Sequence, residues 1–368
     1  MQLRNISIWS PTLSGGGAEK ISKYLIDILI SSGFTVSAYT HEQQPIVWLR
    51  QLVYYKMPSL HLTGCLFHAI RFISQSNSRV HFLNLNYINF AILLRVLSPR
   101  ARIIVRCANT LSAELAMLSP LRSFLTYLFY WINFFVADFI VVQCKYMRKD
   151  LIQLYPLISS KIIVIYNPSM PSRGILSSFR LPLDALPKSP YILTAASWKP
   201  QKDFNTLLKA YSLYTKSHKN PLPLLVAGVD SNNQCFHELV QEYDCLSDLI
   251  IPLGYVNNLD LYINRASFCV LSSHYEGFSN FLVECISHLK LIAVSDCPGG
   301  NMELAKMYTG ISFFQPKNWL ELSSLLCVLS SSYNVISPLP ALKSNEIEES
   351  FVRKAYLDLF SSQFLFFE

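Results

Sequence analysis

Residues 267–289 read Ser-Phe-Cys-Val-Leu-Ser-Ser-His-Tyr-Glu-Gly-Phe-Ser-Asn-Phe-Leu-Val-Glu-Cys-Ile-Ser-His-Leu. A short apolar run ending at Leu271 has the length of a strand buried on both faces, and a helix is expected from there to about Leu289. Glu276 falls in the loop between them and Glu284 two turns into the helix, so both carboxylates are expected on one side of a strand-to-helix junction. A carboxylate is a natural partner for two vicinal hydroxyls, which a ribose or a pyranose offers. The plain alternative is a surface loop with one solvated helical glutamate.

The same alternation extends in both directions. Strands are expected near 191–195, 223–228, 249–253, 291–295 and 311–314 in this half, and near 5–9, 35–39, 80–84, 102–106, 139–143 and 162–166 in the other. Helical pattern lies between them, as in Glu19–Ser32 with Ile21, Tyr24, Leu25, Ile28 and Leu29 on one face. Apolar strands alternating with helices predict parallel sheets covered on both faces, hence an α/β chain of two Rossmann-like, doubly wound domains. From Asn167 to Pro190 the composition turns to proline, serine and glycine without periodicity. The expected division is a first domain over 1–170, a linker over 171–190 and a second domain over 191–345. A final helix, Ile347 to Phe360, lies in a segment 346–368 expected to cross back to the first domain, and ligands are expected in a cleft between the two sheets' C-terminal edges.

Bulk properties agree with this. The 368 residues suit two cores better than one. An apolar share of 51% against 15% charged excludes a disordered chain. The first residues, Met1 to Trp9, lack the apolar stretch of a secretory signal. The longest apolar run, between Arg122 and Asp138, is shorter than the roughly 18–20 residues a spanning helix needs. A cytoplasmic protein is therefore expected, and the nine scattered cysteines without a Cys-x-x-Cys pair predict reduced thiols and no metal site. The net charge is +7, and residues 71–150 carry ten basic side chains against three acidic ones. Such a bias attracts an anionic partner, or is plain surface charge.

Three further loops carry candidate chemistry. Ser14-Gly15-Gly16-Gly17-Ala18-Glu19 joins a strand to a helix, where glycines let backbone amides approach a phosphate and the helix end adds positive charge. Asp296-Cys297-Pro298-Gly299-Gly300-Asn301-Met302-Glu303 repeats the device after the strand 291–295. Ser197-Trp198-Lys199-Pro200-Gln201-Lys202 follows the strand 191–195 and projects a lysine from the same edge, suited to a diphosphate. No Gly-x-x-x-x-Gly-Lys-Ser/Thr or Gly-x-Gly-x-x-Gly is present, which weakens P-loop and dinucleotide readings.

Taken in order, Gly16-Gly17-Ala18-Glu19, Tyr166-Asn167-Pro168, Pro200-Gln201-Lys202, Leu253-Gly254-Tyr255, Glu276 and Glu284 with seven residues between them, and Gly299-Gly300-x-x-Glu303 resemble glycosyltransferase family 4 over residues 6–310. The resemblance implies a GT-B fold with two domains facing across a cleft, a UDP- or GDP-sugar donor, retention of anomeric configuration, and no cofactor or catalytic metal. It implies that Glu276 and Lys202 are catalytic, Glu276 contacting the transferred sugar and Lys202 neutralising the diphosphate. Glu284 would bind the ribose, the loop at Gly254 and Tyr255 the base, and the backbone of Gly16, Gly17, Gly277, Phe278, Ser279, Asn280 and Phe281 the rest of the donor. Arg106, Asn109, Gly299, Gly300 and Glu303 would lie toward the acceptor.

This chain departs from the family at named places. The usual Gly-Arg before the phosphate lysine falls on Ala196-Ser197, with Lys199 as a possible substitute. Ala108 stands where many relatives have His, and His288-Leu289-Lys290 stands where a small residue and glycine are usual. The resemblance implies a hexosyl- or N-acetylhexosaminyl-transferase of lipopolysaccharide or other cell-surface polysaccharide biosynthesis, with a glycan or lipid-linked glycan acceptor and no nucleic acid partner. The aromatic-rich stretch Tyr127, Phe129, Tyr130, Trp131, Phe134, Phe135 is expected either to rest on the inner membrane's cytoplasmic face or to pack in the core. Alternatives are a nucleotide-sugar binding protein that has lost turnover, and a synthase or phosphorylase with a soluble acceptor.

Overall fold

The computed structural model describes residues 5–10, 17–40, 52–56, 78–169, 190–243, 247–256, 258–332 and 340–361. Two compact units divide the chain: residues Met1–Asn167 with Ser350–Glu368, and Pro168–Glu349. The 20 positions 170–189, where the linker is expected, lie outside the described residues.

The first unit is a seven-stranded, all-parallel sheet in the order β3-β2-β1-β4-β5-β6-β7. Its strands are β1 (Asn5–Trp9), β2 (Thr35–Thr40), β3 (Leu52–Lys56), β4 (Val80–Asn84), β5 (Arg102–Arg106), β6 (Phe139–Val142) and β7 (Ile162–Val164). The interior strands are buried throughout, as β4 is from Val80 to Asn84, because helices cover both faces. Helix Gly17–Ser31 presents Ile21, Leu25, Ile28 and Leu29 to the sheet, all nearly water-free. Six strands fall where the apolar runs place them, while β3 was not expected. It forms the sheet edge beside β2, where one flank needs no partner and the surrounding sequence shows no period.

The last helix, Glu349–Phe360, belongs to this unit. Tyr356 and Phe360 pack against Phe82, and Arg102 Nη1 donates to the carbonyls of Leu359 and Ser361 at 2.9 and 3.2 Å. Arginine here satisfies helix-end carbonyls that have no intrahelical partner.

The second unit is a six-stranded parallel sheet, β10-β9-β8-β11-β12-β13. Its strands are β8 (Ile192–Ala195), β9 (Leu224–Ala227), β10 (Ile250–Gly254), β11 (Phe268–Leu271), β12 (Ile292–Ser295) and β13 (Ile311–Phe314). Its core gathers Leu207, Leu208, Tyr211, Tyr214, Phe236, Leu322 and Leu326 from the flanking helices. Both sheets reverse strand order once, between β1 and β4 and between β8 and β11. Loops leaving the two strands at such a point run to opposite faces and open a crevice at the C-terminal edge.

One polar cluster sits inside the first unit. Ser7 and His81 face each other on β1 and β4; the Ser7 hydroxyl bonds to His81 Nδ1 and accepts from Trp9 Nε1 at 3.0 Å. Burial pushes the His81 imidazole down to about 4, so it is neutral in the folded chain at pH 7. Because the folded value is depressed, its contribution is fully present above pH 6.5 and is lost as pH falls toward 4. Acid titration of unfolding free energy should show roughly 3 kcal/mol lost over that window through this group. His81→Asn should flatten that part of the profile; an unchanged slope would place the loss elsewhere.

Candidate functional site

At the reversal in the second sheet, three loops meet. The loop after β8 supplies Ala196 to Asp203, the loop after β11 supplies Ser272 to Ser279, and the loop after β12 supplies Asp296 to Gly300. Backbone and side-chain bonds tie them together: His274 N–H donates to Gln201 O at 2.8 Å, Gln201 Nε2 to Tyr275 O at 2.9 Å, and Ser272 Oγ to Lys202 O at 2.9 Å. Glu276 N–H donates to Pro298 O at 2.9 Å and Gly300 N–H to Gly277 O at 2.8 Å. Three of the four candidate loops of the sequence are thus collected here by strand order alone.

The centre of this cluster is an ion pair. Lys202 Nζ lies 2.6 Å from Glu276 Oε1, and Ser273 Oγ donates to the same oxygen at 2.5 Å. The side chains keep 19% and 6% of their exposure, so the pair is strongly but not wholly shielded. Attraction in such a place exceeds that of a surface pair, and the second hydrogen bond offsets part of the carboxylate's desolvation. Lys202 is aimed by a short turn, Pro200–Lys202, whose proline opens it and whose last N–H returns to Lys199 O at 3.0 Å.

Two local features make the arrangement possible. Gly299 has φ +140°, and a Cβ there would lie 2.4 Å from the Glu276 carbonyl oxygen. Only glycine lets the two loops approach this closely. Asp203 adopts the left-handed region at φ 47° and caps helix Phe204–Ser217 by accepting from Thr206 N–H and Oγ1. The same carboxylate is 3.1 Å from His274 Nδ1, outside hydrogen-bond alignment, which links the first two loops again.

The other candidates of this unit lie on neighbouring loops and helices. Helix Asn280–Ser287 begins at the junction, capped by the Ser279 hydroxyl, which accepts from Leu282 N–H at 3.3 Å. Glu284 is the fifth residue of that helix, little more than one turn in rather than two, and is half-buried. Gly277, Phe278 and Ser279 are buried, and Phe281 anchors the helix in the core. The first amides of a helix have no intrahelical acceptor, so this end offers donors and positive potential. Gly254 ends β10 at φ 65°, exchanging bonds with Val229 O and Gly228 N–H, and Tyr255 beside it is exposed. Ser197 and Lys199 are both exposed. Glu303 lies in the first turn of helix Asn301–Met307. Burial raises the Cys297 thiol to about 12, so it stays protonated and is no nucleophile. Among the described residues, no three His, Cys, Asp or Glu side chains converge to hold a metal ion.

The candidates in the first unit differ in exposure. Gly16 lies outside the described residues, and Gly17 opens helix Gly17–Ser31. Arg106 is 2% exposed, its Nη2 donating to Asn167 Oδ1 at 3.0 Å. Asn109 donates to Glu114 Oε1 at 2.7 Å.

Sequence reasoning missed Ser273 and Gly228. Ser273 is the hydroxyl that fixes Glu276, and its only signal is its place just past the strand. Gly228 has φ +89°, and a Cβ there would lie 2.7 Å from Ala196 O, so it lets the loop of Lys202 pass close to β9.

The fold of the whole chain is α/β of the GT-B type, and residues 181–331 match the family described as glycosyl transferases group 1. HepE of Anabaena in complex with UDP and glucose aligns over 97% of this chain and 99% of its own, with TM-score 0.72 at 14% identity. The lipopolysaccharide outer core galactosyltransferase WaaB aligns over 96% and 98%, with TM-score 0.64 at 14% identity. In sequence, the N-acetylgalactosamine-N,N'-diacetylbacillosaminyl-diphospho-undecaprenol 4-alpha-N-acetylgalactosaminyltransferase of Campylobacter jejuni is 23% identical over 323 residues, 82% of this chain and 83% of that one. The family match is confined to residues 181–331, and the solved structures share the fold.

Two substitutions probe the local geometry. Gly299→Ala should destabilise the second unit by roughly 2–4 kcal/mol, since backbone must move and φ is unfavourable; a loss below about 1 kcal/mol in denaturant titration would contradict the close approach. Leu289 ends helix Asn280–Ser287 at φ 52° and is half exposed. Leu289→Gly should therefore gain about 1 kcal/mol by relieving left-handed strain, and a lower midpoint for this variant would show that its side chain matters more than its backbone.

Proposed function

We propose that the chain is a retaining glycosyltransferase that transfers a sugar from a UDP- or GDP-sugar to a glycan acceptor, lipid-linked, in cell-surface polysaccharide biosynthesis at the cytoplasmic face of a membrane. The observation that carries the reading is the shielded Lys202–Glu276 pair at the strand-order reversal, beside the N-terminus of helix Asn280–Ser287. The Campylobacter relative's name specifies a diphospho-undecaprenol-linked acceptor and the Anabaena structure holds UDP; both favour this choice of substrates.

The chemistry follows from charge. Breaking the bond between the anomeric carbon and the diphosphate leaves positive charge on the sugar and negative charge on the leaving group. Lys202 and the helix-end amides stabilise the negative charge as it forms. Glu276, held by Ser273 and Lys202, places a carboxylate beside the transferred sugar, and Glu284 takes the ribose hydroxyls. Tyr255 and Gly254 line the base. Lys202 is already fixed by Glu276 in the folded chain, so little reorganisation is needed at the moment of reaction. With the phosphate oxygen taking the acceptor's proton on the attacked face, no side-chain nucleophile is required and configuration is retained.

A second reading, a nucleotide-sugar binding protein without turnover, is favoured by one observation: Ser197 is exposed and uncharged where the family's second phosphate cation is usual.

A panel of UDP-, GDP- and ADP-sugars tests both. One donor should raise the melting temperature by mass action and be slowly hydrolysed, and Glu284→Ala should lose the shift. Lys202→Met should lower kcat by about 10²–10³-fold, the effect of removing one transition-state charge contact. A donor that binds but never turns over selects the second reading, and no binding at millimolar concentration overturns both.

A further inference from the structure

Helix Pro120–Val136 is amphipathic in the wrong sense for water. Ser123, Thr126, Tyr127, Tyr130, Asn133 and Phe134 are turned toward the protein, whereas Leu121, Phe124, Leu125, Leu128, Ile132 and Phe135 are exposed, three of them by 69%, 62% and 59% (Leu121, Phe124, Phe135). At 100° per residue, these outward side chains with Trp131 and Phe129 at the flanks fill an arc of roughly 160° without a polar member. A surface helix of a water-soluble core shows the opposite order. The helix has one charged residue, Arg122, and no acidic one.

The apolar face does not end with this helix. Helix Phe90–Leu97 packs beside it, Arg95 Nη2 bridging to Val136 O at 3.0 Å, and exposes Ile92 and Val96. At the same end of the helix Lys161 Nζ donates to the carbonyls of Phe135 and Ala137. An exposed apolar patch shared by two neighbouring helices marks a binding surface.

Charge says what covers it. Residues 78–169 hold ten basic side chains and three acidic ones. Those acids are engaged: Asp138 pairs with Arg95 at 2.6 Å, Asp150 is buried and accepts from Ser112 N–H, and Glu114 accepts from Asn109. Arg100, Arg122, Lys145, Arg148 and Lys149 are exposed. A second copy would set one basic rim against another across a two-fold axis. No described helix is long and apolar enough to cross a membrane. We propose that this face is a membrane-docking surface, with helix Pro120–Val136 lying in the plane of an anionic bilayer, its apolar arc among the acyl chains and the basic rim at the headgroups.

This gives the membrane contact proposed above a defined surface, and its test uses no nucleotide sugar, so it stands or fails separately from the donor site. The purified full chain is sedimented with vesicles of phosphatidylcholine, with and without phosphatidylglycerol. Binding should be strong to the anionic vesicles and weaker to the neutral ones. Phe124→Glu with Leu128→Glu should weaken binding more than about tenfold while leaving the thermal transition in place, since both side chains are already exposed. Arg148→Glu with Lys149→Glu should remove the preference for anionic lipid. Brominated acyl chains should quench a fluorescence component that is absent in Trp131→Phe, a readout on otherwise unaltered protein. Absence of vesicle binding overturns the proposal, as does a dimer in solution that Phe124→Glu with Leu128→Glu dissociates and vesicles do not.

Discussion

Removing a lysine and a glutamate from water is unfavourable unless each finds a partner, and at the edge of the second sheet Lys202 and Glu276 find one another at 2.6 Å. Much of the surrounding backbone is arranged so that this meeting can occur. The reversal of strand order brings the loops after β8 and β11 side by side, Gly299 lets a third loop press on the Glu276 carbonyl, and Ser273 occupies a remaining lone pair of the carboxylate. An ion pair so held is already polarised and fixed before any ligand arrives. That is the condition under which charge acts on a transition state rather than on a ground state.

The two units solve the same structural problem with the same parts. Both are parallel sheets whose strands are apolar on two faces, and both end a helix by lending it a lysine from the start of a later strand. Lys161 bonds the carbonyls of Phe135 and Ala137; Lys290 bonds those of Asn264 and Ala266 at 2.7 and 2.9 Å. Burial lowers both ammonium groups from their ordinary value, since each gives up water for carbonyl oxygens. In the first unit this device closes the C-terminal end of helix Pro120–Val136, satisfying carbonyls that have no intrahelical partner.

Much of the fold was legible because parallel strands need apolar residues on both faces, and such runs stand out wherever helices separate them. β3 was illegible for the converse reason: an edge strand of five residues carries no such demand. At the candidate site, the loop positions of Glu276, Lys202 and Gly299 stood out in the sequence, and the structure brings these three together. Ser273 was not found, since any polar residue past a strand looks alike until its partner is known. Arg106 was expected toward the acceptor from the resemblance alone; its burial and its bond to Asn167 are packing that no local pattern reports. Exposure divides the aromatic stretch around Trp131: Phe134 packs into the core, and Phe129, Trp131 and Phe135 are exposed.

The central claim is that Lys202 recognises a diphosphate. Calorimetric titration of uridine, UMP and UDP, or the guanosine series, into wild type, Lys202→Met and Lys202→Arg tests it directly. The account predicts that wild type prefers the diphosphate over the nucleoside by about 10–100-fold, the worth of one or two charge-assisted hydrogen bonds. Lys202→Met should lose that preference while still binding the nucleoside, and Lys202→Arg should keep part of it. Equal preference in wild type and Lys202→Met would contradict the account and leave the ion pair a structural tie between two loops.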